Sequence, residues 1–141
     1  MTLIKSISGI RGTIGGAPGD ALTPVDIVKY AAAFGTWILS RKGKKVVIGR
    51  DARISGEMVS SLVCSTLQGL GLDVIDLGLS TTPTVEIAVP LEKAGGGIIL
   101  TASHNPKEWN ALKLLNEKGE FISGEDGKIV LGIADAEQFN F

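Results

Sequence analysis

The sequence predicts an α/β fold, a layered and largely parallel sheet with helices packed against it. Three observations carry this expectation. The short apolar runs "KVVIG" and "GGIIL" have the length and side-chain types of strands buried on both faces. Segments with apolar residues at helical spacing lie between such runs. The connections are short, and neither an internal repeat nor a linker interrupts the 141 residues, so one domain over residues 1–141 is expected.

The elements follow in order. Thr23 and Pro24 supply an N-cap and a first-turn proline, and Asp26 stands where a capping box places its acid. Ile27, Val28, Ala31, Phe34, Gly35 and Ile38 then recur at helical spacing. "RKGKK" ends this helix, its cations at the negative end of the dipole and Gly43 at the C-cap, which makes the cluster a solvated helix end rather than a binding patch. "KVVIGRD" is the next strand. Ser55 is expected to cap a second helix whose inner face carries Met58, Val59, Leu62, Val63, Thr66 and Leu67, with Gly69 and Gly71 ending it.

"LDVIDLGL" reads as a strand. Thr82 and Pro83 open a third helix running to about Ala94, kinked or shortened by Pro90, which lacks a backbone donor. "GGIILTAS" is a further buried strand. "NALKLLNEKGEFIS" reads as a hairpin turning at Asn116–Gly119 and adding an antiparallel edge strand. "SGEDGKIVLGIADAEQF" is the last helix, weakened by Gly127 and Gly132.

Composition narrows the function classes. Fourteen basic against fifteen acidic residues, a net charge of −1, argue against nucleic acid or an anionic membrane as partner. No run reaches transmembrane length, and a single cysteine, Cys64, excludes an intramolecular disulfide. A cytoplasmic protein is expected, with Cys64 as core filler. Glycine stands out: nineteen of 141 is about twice the ordinary usage of roughly 7%. Clusters such as "SGIRGTIGG" indicate tight turns or backbone brought close to something, often an anion.

The chemistry-bearing stretch is "TASHNP", Thr101 to Pro106, directly after the apolar run "GGGIIL". In open parallel sheets ligands collect beyond the carboxyl ends of strands. Ser103 falls there, and Arg50 and Asp51 fall at the corresponding end of "KVVIG". A hydrolase nucleophile would want a G-x-S-x-G elbow, yet Thr101 and Asn105 flank Ser103. The single histidine, His104, is the next residue, and neighbours on extended backbone point apart. Neither nucleotide-binding fingerprint is present, and one His with one Cys cannot build a zinc site. Phosphate chemistry fits better, because it needs positive charge and positioning more than a triad. Arg11 between Gly9 and Gly12, His104 and Lys113 supply that charge, although Arg11 taken singly reads as a turn cation and Lys113 as a solvated strand residue.

These residues resemble a known family. "TASHNP" resembles the phosphoserine signature of the α-D-phosphohexomutases, the phosphoglucomutase/phosphomannomutase superfamily, which includes phosphoglucosamine mutases. "ISGIRGTIGG" resembles the family's Gly-Ile-Arg-Gly loop and "IGRDARISGE" its Gly-Arg-Asp-x-Arg-x-Ser-Gly segment. "TTPTVE" and "NALKLLNEKGEFI" fall where the first domain has comparable stretches, so the resemblance covers essentially the whole chain. One departure is Asn110-Ala111, where many members have Asn-Gly.

The resemblance implies a three-layer α/β/α sandwich, the first of four domains around one cleft. It implies that Ser103 carries a phosphoryl group exchanged with a hexose phosphate through a bisphosphorylated sugar, with Arg11, His104 and Lys113 around the phosphate and Lys113 also handling a proton. It implies Mg²⁺ as cofactor, bound through the Ser103 phosphate and through ligands from a further domain. The hexose phosphate and the remaining domains would be the partners, and this domain alone would lack turnover. The alternatives from other classes are a non-catalytic anion- or phosphosugar-binding domain and a serine hydrolase.

Overall fold

Local chemistry and packing place the elements largely where the sequence puts them. The computed structural model describes residues 1–6, 9–102 and 105–141. Among these, six strands, β1 (Ile4–Ser6), β2 (Gly9–Thr13), β3 (Lys45–Arg50), β4 (Asp73–Leu79), β5 (Gly96–Leu100) and β6 (Trp109–Leu115), form one sheet in the order β1-β2-β6-β5-β3-β4. The helices are α1 (Pro24–Ser40), α2 (Gly56–Gly69), α3 (Thr82–Leu91) and α4 (Gly124–Ala136).

β3 pairs in parallel with β4 and with β5, while β5–β6, β6–β2 and β2–β1 are antiparallel. Strands β2, β3, β4 and β5 therefore run one way, and β6 and β1 the other. The antiparallel edge strand is β1. The expected hairpin turns at Asn116–Gly119 as predicted, the Gly119 amide donating to the Asn116 carbonyl at 3.0 Å. But its first arm, β6, is interior between β2 and β5, and its second arm folds back on the end of β6 through a bridge from Leu115 to Phe121 instead of forming an edge strand. The glycine cluster, read as tight turns or backbone brought close to something, does both: Gly15 and Gly16 take positive φ (96 and 131) beyond the strand, and Gly9–Thr13 is strand β2, held close to its neighbour. Its glycine has a packing reason, since a Cβ on Gly9 would lie 2.5 Å from the Leu112 carbonyl oxygen of β6.

Alternation along the strands divides the apolar residues between two helical layers. Ile10, Val46, Ile48, Ile98, Leu100, Leu112 and Leu114 face α1, α2 and α4 in the larger core. Val47, Ile99 and Leu115 meet Val85 and Val89 of α3 on the other face. The result is the three-layer α/β/α sandwich.

Helix ends show which residues do the capping. In α1 the Thr23 hydroxyl accepts from the Asp26 amide at 3.4 Å, and the buried Asp26 carboxylate accepts from the Thr23 amide at 3.1 Å, closing the predicted box. Asp26 also takes the Thr23 hydroxyl at 2.5 Å and the Gly19 amide at 3.0 Å. Asp26→Ala removes the acceptor of all three and should cost about 2 kcal/mol. A fall in the urea midpoint at unchanged m value checks this, and an unchanged midpoint refutes it.

At the other end of α1 the left-handed residue is Lys42 (φ 65), not Gly43. Lys42 donates to the Leu39 carbonyl and Gly43 to the Ile38 carbonyl, a Schellman motif. Ser55 stands at the N-cap of α2 but makes no side-chain cap: its backbone is helical (φ −72, ψ −11) rather than extended, and its hydroxyl accepts from Asn110 Nδ2 at 2.9 Å. α3 is capped by Thr81 and ends at Leu91, shorter than expected, with Pro90 in its last turn.

Candidate functional site

The sheet itself brings two of the predicted site residues together. β2 and β6 pair Gly9 with Lys113 and Arg11 with Ala111. Because Ile10 and Leu112 point into the larger core, Arg11 and Lys113 project from the opposite face as diagonal neighbours. On that face α3 packs on β3 and β5. Over β2 and β6 lies a pocket of about 460 Å³, lined by Ser6, Gly9, Arg11, Ala111, Lys113 and Phe121 among others. Arg11 is exposed and Lys113 half-buried. Arg11 is thus a strand residue on a pocket wall rather than a turn cation.

Ser103 and His104 lie outside the described residues. Their neighbours in the chain are described. β5 ends at Leu100, and the Thr101 amide donates to the Ala111 carbonyl of β6 at 3.2 Å. Beyond, the Asn105 amide donates to the Ala102 carbonyl at 3.0 Å, and the Trp109 amide to the Pro106 carbonyl at 2.9 Å.

Arg50 and Asp51, expected on the same rim, part company. Arg50 lines a different pocket of about 330 Å³ with Glu57, Ser60, Cys64 and Asp76. Asp51 turns toward β5: its Oδ2 accepts the Thr101 hydroxyl at 2.7 Å and Arg53 Nε at 3.2 Å, and its Oδ1 accepts the Arg53 amide at 3.1 Å. Arg53, whose side chain is only 11% exposed, also donates from Nη1 to the carbonyls of Pro106 (2.6 Å) and Trp109 (3.0 Å), and from Nη2 to that of Asn105 (2.8 Å). Asn110, fully buried, ties the same region to the start of α2 through Ser55. Sequence reasoning missed Arg53 altogether; the visible signal was its place in "GRDARISG".

Cys64 is half-buried against the larger core, in keeping with a filler. Burial pushes its thiol above the ordinary range, the hydrogen bond with Ser60 works the other way, and the Asp76 charge adds to the rise. Such a thiol holds little thiolate at neutral pH and makes a poor nucleophile.

The fit to a divalent cation can be tested on the acids present. Among the described residues no group of three His, Cys, Asp or Glu side chains is gathered as ligands. Asp51, the acid joined to the strand that leads into the Ser103 loop, is committed to Arg53 and Thr101. These residues do not form a Mg²⁺ site by themselves. No helix among the described residues is long and apolar enough to cross a membrane.

A six-stranded sheet of this order, covered by helices on both faces and carrying a pocket walled by Arg11 and Lys113, defines an α/β/α domain. The family described as Phosphoglucomutase/phosphomannomutase, alpha/beta/alpha domain I, matches residues 3–141, and the chain belongs to it. A phosphoglucomutase/phosphomannomutase of Thermococcus kodakarensis is 41% identical over 134 residues, 92% of this chain and 29% of that protein. A phosphoglucosamine/phosphogalactosamine mutase of Sulfurisphaera tokodaii is 33% identical over 94% of this chain and 28% of that protein. Among solved structures, a phosphoglucomutase/phosphomannomutase family protein of Burkholderia thailandensis superposes with a TM-score of 0.80 at 26% identity, over 95% of this chain and 30% of that one. A Thermus thermophilus protein does so with a TM-score of 0.83 at 31% identity, again over 95% and 30%. The chain thus spans less than a third of the length of these relatives.

Proposed function

We propose that this domain is the phosphoryl-carrying part of a phosphohexomutase that interconverts hexose 1-phosphate and hexose 6-phosphate, with Ser103 as carrier. The observation that supports it best is the placing of Arg11 and Lys113 on one pocket wall, on β2 and β6, with β6 paired to β5, the strand before the Ser103 loop. Two cations at such a wall offset the charge of a phosphoryl group in transit, and phosphoryl transfer is mostly a matter of positioning and electrostatics.

In the forward step a sugar hydroxyl attacks the phosphorus of phosphoserine. The new sugar O–P bond forms as the Ser103 Oγ–P bond breaks, the sugar hydroxyl loses its proton, and the serine oxygen regains one. Lys113 is the proton carrier in this reading, and Arg11 with His104 holds the phosphate. The bisphosphorylated sugar then returns its other phosphoryl group to Ser103. A Mg²⁺ ion would compensate the phosphate charge, held through that phosphate and through groups that the described residues do not supply. The substrate's sugar would be read by other domains, so the domain alone is expected to show no turnover.

The test is to incubate the full encoded polypeptide with a hexose 1,6-bisphosphate and Mg²⁺ and map phosphate on the peptide holding Ser103. Stoichiometric phosphoserine there is the expected result. A folded, substrate-binding protein with unmodified Ser103 would leave a non-catalytic phosphosugar-binding domain instead.

A further inference from the structure

We propose that Arg53 is a positioning residue for phosphoryl transfer, holding the Ser103 loop in register with the Arg11–Lys113 wall. The proposal rests on the reading of Ser103 as phosphate carrier. The geometry behind it is a double anchor. On the amino side of Ser103, Thr101 donates its hydroxyl to Asp51; on the carboxyl side, Asn105, Pro106 and Trp109 present their carbonyls to the Arg53 guanidinium. Asp51 and Arg53 are bound to each other, through the Nε–Oδ2 contact of 3.2 Å and the amide–Oδ1 contact of 3.1 Å. Both ends of the loop are therefore fastened to one pair of side chains.

That pair is itself fixed by the sheet. Arg50, the last residue of β3, pairs with Leu100, the last residue of β5, and the Asp51 amide donates to the Leu100 carbonyl at 3.1 Å. The loop that bears Ser103 is thus referenced to two parallel strands and, through the Thr101 amide, to the strand of Lys113.

Arginine suits this work because its rigid fork of donors can meet several acceptors at once. Lysine, a single ammonium on a flexible stem, cannot reach three carbonyls and a carboxylate together. Supporting groups of this kind set reactive geometry, and displacement of a reacting group by about 1 Å can cost about 10²-fold in rate.

The test uses Arg53→Lys in the full encoded polypeptide, assayed below its melting temperature with hexose 1-phosphate and Mg²⁺. Expected are a kcat lower by about 30- to 100-fold, a KM within about threefold of wild type, and a single-turnover phosphorylation of Ser103 from hexose 1,6-bisphosphate slowed by the same factor as kcat. A residue that merely stabilised the fold would lower the melting temperature and leave both rates intact. Thr101→Val, which removes the other anchor at nearly constant volume, should slow the same step about tenfold and serves if Arg53→Lys does not fold. A single-turnover rate within about threefold of wild type in folded Arg53→Lys, or in Thr101→Val where the first is insoluble, overturns the proposal. If wild-type Ser103 stays unphosphorylated, the carrier reading falls and this proposal with it; a phosphorylated wild type matched by an equally fast variant sinks this proposal alone.

Discussion

Ser103→Ala in the full encoded polypeptide should abolish conversion of hexose 1-phosphate to hexose 6-phosphate, by at least about 10⁴-fold in kcat, while the protein still binds its substrate. The substitution deletes one oxygen, the atom proposed to bond phosphorus. Without it a phosphohexomutase has no place to store the group between the two transfers, and neighbouring cations cannot substitute for a covalent carrier. A panel of glucose, mannose and glucosamine 1-phosphates, assayed for the 6-phosphate product, checks the prediction for whichever sugar the wild type uses. Residual turnover within about tenfold of wild type would sink the carrier role. Loss of turnover with unchanged melting temperature and substrate affinity separates chemistry from folding.

How far the sequence could be read depends on whether the signal was local. The capping box of Thr23 and Asp26 was legible because both partners lie within one turn, and the fold uses them as the residue types demand. The apolar run 96–100 was legible as a buried strand for the same reason, and all five of its residues are buried. β2 was not. Gly9–Thr13 has two glycines in five residues, which deny it strand propensity, and it becomes a strand only by pairing with β6 about a hundred positions away. The hairpin expectation held at its turn, where the Gly119 amide donates to the Asn116 carbonyl, but not in its edge strand: β6 found its sheet partners in β5 and β2, and the arm after the turn folds back on the end of β6 through one bridge.

The candidate site divides in the same manner. Arg11 and Lys113 were proposed on charge and on the family resemblance, and only the register of β2 on β6 shows that they share a face. Arg53 stood in a legible motif, but what it does was not legible, because most of its partners are main-chain carbonyls more than fifty residues away, which leave no trace in side-chain identity. Asp51 was visible as an acid at a strand end. That its carboxylate meets Arg53 and Thr101 follows only from the packing of β3 beside β5.

The largest effect on folding is expected from Gly119→Ala in the turn after β6. Gly119 has φ +77, a conformation costing an alanine roughly 1 kcal/mol or more. Its Cβ would also strike the main-chain carbonyl oxygen of Glu86 in α3, with the Pro90 Cδ 3.2 Å away. A helical carbonyl cannot swing aside as a side chain can, so overpacking adds about 1–3 kcal/mol. The turn is in turn fastened by Asn116, whose side-chain oxygen accepts the amides of Lys118 and Glu120 at 2.9 and 3.1 Å, which limits how far it can shift as a unit. A loss of about 3 kcal/mol, or roughly 10 °C in melting temperature for a chain of this size, is the expected outcome. Gly132→Ala makes the natural comparison. It sits exposed in α4 with nothing within 4 Å of its added Cβ, so alanine there should stabilise by about 0.5–1 kcal/mol through helix propensity. Opposite signs at the two positions, read as urea midpoints, would tie the cost at Gly119 to its left-handed backbone and its contact with α3; a shift below about 1 kcal/mol at Gly119 would mean that the turn does not rest on α3.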